Sequence, residues 1–428
     1  MNEENCTRLK EFRQLQKEIR GSKEHLIVGI DVAKESHKAF FGTATGKTLF
    51  RRLVFQNDRE GFERLLLQAE AMRVQHGLEK VVLGLEPTAN YHKPLGEYLI
   101  TGGHDVVLVS TKSVKRNREL LDGRWDKHDT KDSANVADLI SQGKCLYYEH
   151  PELKLRQLRG LLSFKRRLKR QEHGLKVRIR NHLLAQYFPE FDRYFGRSES
   201  ESLAIVRWCL DPSVISALAY DEFVRLVAPG RRALRQQERL RAIWQKASAS
   251  IGCEGSEAVQ FEAKLMVEGL RQIREALRAT EAKITGICRG FPEYEYLLTI
   301  PGYGPDVSSK VLGAIGDPFR FTRGKQVLKM AGLDLVANRS GKRSDGVVPV
   351  ISKNGKAELR YALYQAAMIA SIRNREFIMW FTNRLRGRQR EKGIKVKMRV
   401  KLSAKLLIIA WTLMKNKESF NPDCLRIE

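Results

Sequence analysis

An order of apolar runs near the start of this chain leaves few folds open to it. "LIVGIDV", residues 26–32, is a short apolar run that ends in an acid, and "HKAFFGTATG" and "TLFRRLVFQND" follow as two further strand-like runs separated by glycine-containing turns. Together they predict a three-stranded meander. "GFERLLLQAEAMRVQHG" then sets apolar residues at helical spacing, "KVVLGLEPT" has the continuous apolar pattern of a buried strand, "KPLGEYLITGGH" reads as a helix and "DVVLVS" as another strand. A last helix carries "WDKHDTKDSANVADLI", residues 125–140. The predicted order is βββαβαβα.

That order is the one of the ribonuclease H fold, a mixed sheet flanked by helices, and assigns it to residues 23–148 behind a charged N-terminal extension, 1–22. From 149 to 290 the character changes to long, highly charged helical segments such as "ELKLRQLRGLLSFKRRLKRQEHGLKVRIRNHLL", broken by a Pro- and Gly-containing stretch around 187–255. This pattern predicts a solvated helical hairpin or an antiparallel coiled coil, whose basic face is also able to hold nucleic acid. Residues 291–428 form a third, mainly helical unit that opens with "LLTIPGYGPDVSSKVLGAIGD", a helix, a Gly-containing hairpin and a second helix. The fold class expected is therefore α/β plus α.

Charge supplies the first functional constraint. The 428 residues carry 77 Lys and Arg against 50 Asp and Glu, a formal net charge of +27, which is the footprint of a chain that holds a polyphosphate backbone. Ribosomal, membrane-surface and merely soluble basic proteins share that footprint. The six cysteines are scattered without a Cys-x-x-Cys, so neither a disulfide framework nor a zinc knuckle is indicated, and a reducing cytoplasm fits best. The longest apolar run, "LLIIAWTLM", is far too short to span a bilayer.

Against this basic background the acids of residues 125–140 stand out. Asp129 and Asp132 are three apart, so on a helix they share one face. Two like charges so close cost free energy unless a cation lies between them, although acids near a helix N-terminus also gain from its dipole. Asp31 ends the first predicted strand and Glu86 the fourth, and these strands are neighbours in a ribonuclease H sheet. An ionised carboxylate after "LIVGI" is costly without a partner. The four acids, Asp31, Glu86, Asp129 and Asp132, would then converge into an oxygen-rich pocket suited to Mg2+, with two ions about 4 Å apart able to activate the attacking oxygen and stabilise the leaving oxygen of a phosphodiester. Asp122, Asp126 and Asp138 rank lower, as loop or outward-facing helix acids.

Several other features are weaker. "GTATGKT", 42–48, lacks one residue of the Walker spacing and lies between two strands, so it reads as a hairpin turn. His37, His92 and His128 show no ligand spacing, and "NRS" at 338–340 matches a glycosylation sequon that has no meaning in a cytoplasmic chain. "IPGYGPDVSSKVLGAIG" has the form of a helix-hairpin-helix in which Gly302 and Gly304 would let backbone N–H groups approach a phosphate, or of a plain helical turn. In "ANRSGKRSDG" a serine flanked by Arg339, Lys342 and Arg343 is either a hydroxyl set against a phosphate or part of an ordinary loop. Lys353, Lys356 and Arg360, on or before a helix, are candidate phosphate contacts or a solvated helix face.

With those residues in place, nearly the whole chain resembles a DEDD transposase of the bacterial insertion-sequence family IS110, which also includes the Piv-type DNA invertases. "GIDVAKESH", "GLEPTANYH" and "KHDTKDSANVADLI" resemble the family's Asp, Glu and paired-Asp motifs at Asp31, Glu86, Asp129 and Asp132. "LLTIPGYGP", "AGLDLVANRSGKRSDGVVPVISKNGKAELR" and "LYQAAMIA" resemble its C-terminal transposase domain and put the family's catalytic serine on Ser340, with Ser344 the nearby decoy. The resemblance implies a RuvC-like domain with Mg2+, a coiled-coil dimerisation region and a covalent phosphoserine link to DNA. It also implies guidance by a structured non-coding bridge RNA that pairs with donor and target DNA, and a tetramer, a dimer of dimers, with composite sites in the cytoplasm near the nucleoid. This chain departs from the family pattern at Asn90, where glycine is usual, at Arg339, where Gln commonly precedes the serine, at Ser133, where Ala is usual, and at "VST", where an Asn-Pro turn is common. None of these is a metal ligand or the nucleophile. The competing expectations are a Piv-like invertase, a RuvC-type Holliday-junction nuclease using the acids alone, and a non-enzymatic RNA-binding scaffold.

Overall fold

The computed structural model describes residues 3–121, 129–196, 199–208, 210–230, 233–336 and 349–425. Two compact units divide the chain, Met1–Glu152 and Leu153–Glu428.

The first unit is built on a six-stranded sheet of order β3-β2-β1-β4-β5-β6. Its strands are β1 His25–Asp31, β2 Ser36–Thr43, β3 Thr48–Gln56, β4 Lys80–Leu85, β5 Asp105–Leu108 and β6 Leu146–Tyr147. β1 runs antiparallel to β2 but parallel to β4. The helices of this unit are α1 Glu3–Glu18, α2 Arg59–Gln75, α3 His92–Thr101, α4 Thr111–Leu121 and α5 Asp129–Ser141.

β1 reads as an unbroken apolar run because it is covered on both faces. Leu26, Val28 and Ile30 join a core with Phe62 and Leu65 of α2 and Leu95 of α3, whereas Ile27 faces Val136, Ala137 and Ile140 of α5. β3, at the sheet edge, exposes most of its residues and carries Arg51 and Arg52, charges that discourage edge pairing. The "GTATGKT" segment closes β2 on β3 as a hairpin, with Thr43 N donating to Lys47 O at 2.9 Å and Gly46 at φ +90°. The expected order lacked three elements: α1, a second helix between β5 and β6, and β6 itself. Within segment 1–22, α1 lies against this unit. Arg8 donates to Tyr148 O and Gln16 to Cys145 O, and Ile19 beyond the helix is fully buried.

One close approach fixes the layer spacing. Gly29 of β1 and Gly84 of β4 face each other in register. A Cβ on Gly29 would lie 2.2 Å from Ser133 O and 2.5 Å from Ala137 N, and one on Gly84 would lie 2.0 Å from Ile140 Cδ1. The paired glycines form a trough in which α5 lies directly on the sheet.

The second unit is helical apart from a short β7–β8 pair, Leu335–Val336 with Val350–Ile351. α6 Leu153–Arg178 packs antiparallel to α12 Glu257–Cys288. Lys154 Nζ donates to Gly290 O just past the end of α12, and at the far end of α6 Leu175 meets Gly269. Buried Glu172 of α6 pairs with Lys176 of its own helix at 2.8 Å and ties the two helices together through Arg274 of α12 at 3.6 Å. The stretch expected to interrupt the hairpin instead forms α7 Ala185–Tyr187, α8 Glu199–Trp208, α9 Pro212–Ala217, α10 Tyr220–Val227 and α11 Leu234–Ala247. These helices have their own core around Phe188, Phe191 and Phe223. Their shortness and the prolines at 189 and 212, which open a turn and α9, not a loss of apolar content, make the sequence look broken there.

At the other end of the pair lie α13 Pro292–Leu298, α14 Pro305–Ile315, α15 Gly324–Ala331, α16 Ala357–Arg373, α17 Arg375–Leu385 and α18 Ile394–Asn416. Ala362, Ala366, Ala367 and Ala370 give α16 a small, fully buried face against Leu402, Leu406 and Ala410 of α18.

Gly29→Ala, which forces its Cβ into the backbone of α5, is expected to lower stability by about 1–3 kcal/mol. Gly160→Ala on α6, where a Cβ meets nothing within 4 Å, is expected to raise it by about 0.5–1 kcal/mol. Urea denaturation midpoints of the two variants distinguish these outcomes.

Candidate active site

The acids of the first unit meet at the C-terminal edge of the two central parallel strands. Ile30 pairs with Leu85, so Asp31 and Glu86 leave the sheet side by side, and Glu86 N extends the ladder by donating to Ile30 O at 3.3 Å. The crevice beyond the carboxyl ends of parallel strands is where open α/β sheets carry ligands. Asp132 is delivered by α5, whose depth over Gly29 is set by the trough, and it is only 4% exposed. Glu86 is also buried. Burial pushes the Glu86 carboxyl above the usual range, and the charges of Asp31 and Asp132 push it the same way, while the Thr111 side chain and Arg118 act against them. These three acids therefore lie within one another's field.

Arg118 of α4 holds the counter-charge. Its Nη2 is 2.5 Å from Asp132 Oδ1, yet the approach falls outside hydrogen-bond geometry, and among the described residues Asp132 Oδ1 and Arg118 Nε are both buried without a hydrogen-bond partner. We take the contact as balancing charge and the bonding capacity of the oxygen as unspent. α4 is fixed against α5 by a buried amide clasp. Asn117 Nδ2 donates to Asn135 Oδ1 at 2.7 Å and to Asp138 Oδ2 at 2.6 Å, and Asn135 Nδ2 donates to Val114 O at 2.8 Å. Asp138, expected to face outward, thus turns into the α4 contact and also accepts from Gln142. No motif flagged Arg118 or the clasp; the available signal was Asn135 among the apolar residues of α5, with Asn117 on the preceding helix.

The residues fit a hard cation in kind. Carboxylate oxygen suits Mg2+, and Asp132 Oδ1 is a buried acceptor that lacks a donor among the described residues. Among the described residues, however, no three His, Cys, Asp or Glu side chains stand close enough to hold a metal ion. Position 129 opens α5 one turn before Asp132. Asp122, Asp126 and His128 lie outside the described residues, as do Ser340, Arg339, Lys342, Arg343 and Ser344.

The remaining candidates occupy the second unit. Gly302, at φ +88°, lies so close to α16 that a Cβ would be 2.4 Å from Ala366 O, which is a packing reason for glycine. Gly304 precedes α14 with open space around its Cα. Lys356 Nζ donates to Ala314 O at 3.3 Å and Arg360 Nη1 to Ala331 O at 2.9 Å, so both cations serve helix C-terminal carbonyls. Lys353 takes a left-handed backbone at φ +55°. His37 is fully buried beside Phe55 and Phe62 and receives Ala33 N, which closes the turn after β1. His92 begins α3.

Comparison with known proteins identifies the class. A family model described as transposase matches residues 28–189, the span that contains β1, β4 and α5, and a second, for the IS116/IS110/IS902 transposases, matches 294–379. The chain is a transposase, an enzyme that cuts and rejoins DNA. More narrowly, it belongs to the IS110 family. It is 22% identical over 407 residues to an uncharacterized protein of insertion element IS116 from Streptomyces clavuligerus, covering 93% of this chain and 97% of the relative. It is also 23% identical over 354 residues to an uncharacterized protein of IS110 from Streptomyces coelicolor, covering 80% and 83%. No helix among the described residues is long and apolar enough to cross a membrane.

Two outcomes are expected from this packing. Asn135→Leu strips partners from Asn117 and Val114 O and should cost about 1–3 kcal/mol in urea denaturation. His37 is held below its ordinary pKa of 6.5 by burial, so below that pH the unfolded chain binds a proton that the folded chain refuses. Stability should fall as pH drops through this range, and less steeply in His37→Phe, as read from melting temperature against pH.

Proposed function

We propose that this transposase joins its carboxylates and a serine in one DNA-transfer reaction. What carries the reading is the convergence of Asp31, Glu86 and Asp132 beyond two parallel strands in a chain of net charge +27. On this reading the first unit is a RuvC-like domain in which Asp129 completes the ligand set. Bound there, Mg2+ would supply Lewis acidity to the phosphoryl oxygen and stabilise the leaving oxygen. Arg118 offsets part of the carboxylate charge and would have to release Asp132 for a cation to be held there.

Ser340 is the proposed nucleophile. Its Oγ bonds to phosphorus, one bridging P–O bond breaks, and the departing hydroxyl end takes the proton, so the phosphodiester energy is kept in a serine ester until another DNA hydroxyl reverses the step. Arg339, Lys342 and Arg343 offset the phosphate charge. Sequence choice is delegated to a bridge RNA that pairs with donor and target DNA, which leaves the protein to hold backbone and shape. The α6–α12 pair serves dimerisation as a coiled coil, and acids and serine from different copies of a tetramer compose each site.

The test is to mix full-length protein and its co-purified RNA with labelled donor and target DNA and to look for an adduct that survives detergent. Ser340→Ala should abolish it, and Asp132→Asn or chelation of divalent cations should lower it about a thousandfold or more, the scale seen when a member of a nucleophilic constellation is removed. Cutting that persists in Ser340→Ala without any adduct would replace this mechanism with that of a junction nuclease.

A further inference from the structure

The second unit carries a feature that the acid pocket and the serine segment leave unused. A cleft of about 1090 Å³ lies where α6 and α12 meet α14 and α16, with Lys165, Arg166, Lys169 and Arg170 on its α6 wall. Its last α6 residue, His173, also lines a second cleft that contains Lys176, Arg180 and Arg274. Arg274 and Leu203 in turn line a third, with Arg207, Arg271 and Arg278. Through the shared linings His173, Leu203 and Arg274 the three clefts adjoin, and together they make a furrow along the helix pair.

Its chemistry is selective. Of the acids that line it, Asp306 is bound by Lys165 and Lys310, Glu281 by Lys165 and Glu358 by Arg166, leaving Glu275 against the remaining cations. Arg170 and Arg278 are exposed and make no ion pair among the described residues. An exposed aromatic ring stands toward each end, Tyr361 at 62% exposure in the first cleft and Trp208 at 53% in the third, the latter with the Arg207 guanidinium over it at 5.3 Å. From Lys165 on α6 to Arg180 in the helical turn just beyond it, this wall runs about 22 Å, room for about six nucleotides of one strand. A cationic groove that tracks a backbone, with aromatic platforms on which bases stack, is how proteins hold strands that are not paired. A duplex hides its base faces and would leave both rings without a partner.

We propose that this furrow is a track for an unpaired nucleic-acid strand. The proposal rests on the reading of the chain as a nucleic-acid enzyme but on none of the residues that carry its chemistry.

Fluorescence anisotropy of full-length protein with a labelled 20-nucleotide strand, as DNA and as RNA, and with the matching duplex tests it. The unpaired strand should bind more tightly than the duplex. Arg170→Glu/Arg278→Glu should weaken strand binding about a hundredfold and flatten its salt dependence by about two phosphate contacts, and Trp208→Ala should cost about tenfold. Arg225→Glu/Arg235→Glu, the same charge change on exposed residues that line none of the three clefts, should cost far less. Arg170→Gln/Arg278→Gln gives a milder loss if the double reversal lowers the melting temperature. Tighter RNA binding assigns the track to a guide and tighter DNA binding to a displaced strand. Preference for the duplex, or equal losses in furrow and control variants, overturns the proposal. Failure of the adduct assay while the furrow variants still lose strand binding overturns the proposed reaction alone, and normal strand binding by those variants while adducts form overturns the furrow alone.

Discussion

The descent of α5 onto the sheet is the contact on which the first unit depends. Two glycines paired across parallel strands remove the layer of side chains that ordinarily separates helix from sheet, and Ala137 and Ser133 take that space with backbone atoms. The trough sets how far α5 can slide and how deep it lies. Because Asp132 follows from the same helix three residues before Asn135, the contact that packs the core also aims the carboxylate and seats the amide clasp. Stability and site geometry therefore cannot vary separately here.

Charge is arranged differently in the two units. In the first, acids are gathered, buried and balanced by one guanidinium, Arg118, brought from the neighbouring helix. In the second, cations crowd along α6 and α12 and most carboxylates near them are already paired, as at Glu172 and Asp306. The more exposed of these pairs, such as Arg166 with Glu358, contribute little to stability and yield readily to a polyanion. A fold of this charge thus keeps its negative potential in a pocket and its positive potential on an open face.

Much of this was legible in the amino-acid order. The strands of the first unit and the helices α2 and α3 follow from period and run length, and Asp31 and Glu86 adjoin because the order of elements implies that their strands are neighbours. β6 is only two residues long and owes its existence to β5, so no local pattern announces it. α1 is charged throughout and shows its apolar side, Phe12 and Leu15, only when packed against the sheet. Arg118 lies in a helix rich in basic residues, and nothing in the sequence separates it from Lys115 or Arg116. Lys356 and Arg360 read as phosphate contacts because cations at helix starts so often are, whereas tertiary packing gives them carbonyls of other helices. Of the helices between α6 and α12, α7 and α9 are too short to announce themselves, whereas α8, α10 and α11 span two turns or more and were obscured by the prolines and glycines that separate them.

The α6–α12 pair has a mechanical consequence. Two antiparallel helices, 26 and 32 residues long, connect a core built on Phe188, Phe191 and Phe223 to one built on α16 and α18. A helix rises about 1.5 Å per residue and resists bending, so the spacing of those cores is a count of residues rather than a balance of loop conformations. The pair acts as a strut: shortening both helices by whole turns would bring the cores together in fixed steps, while shortening one alone would break the pairing at Glu172 and Gly269 before it changed the length.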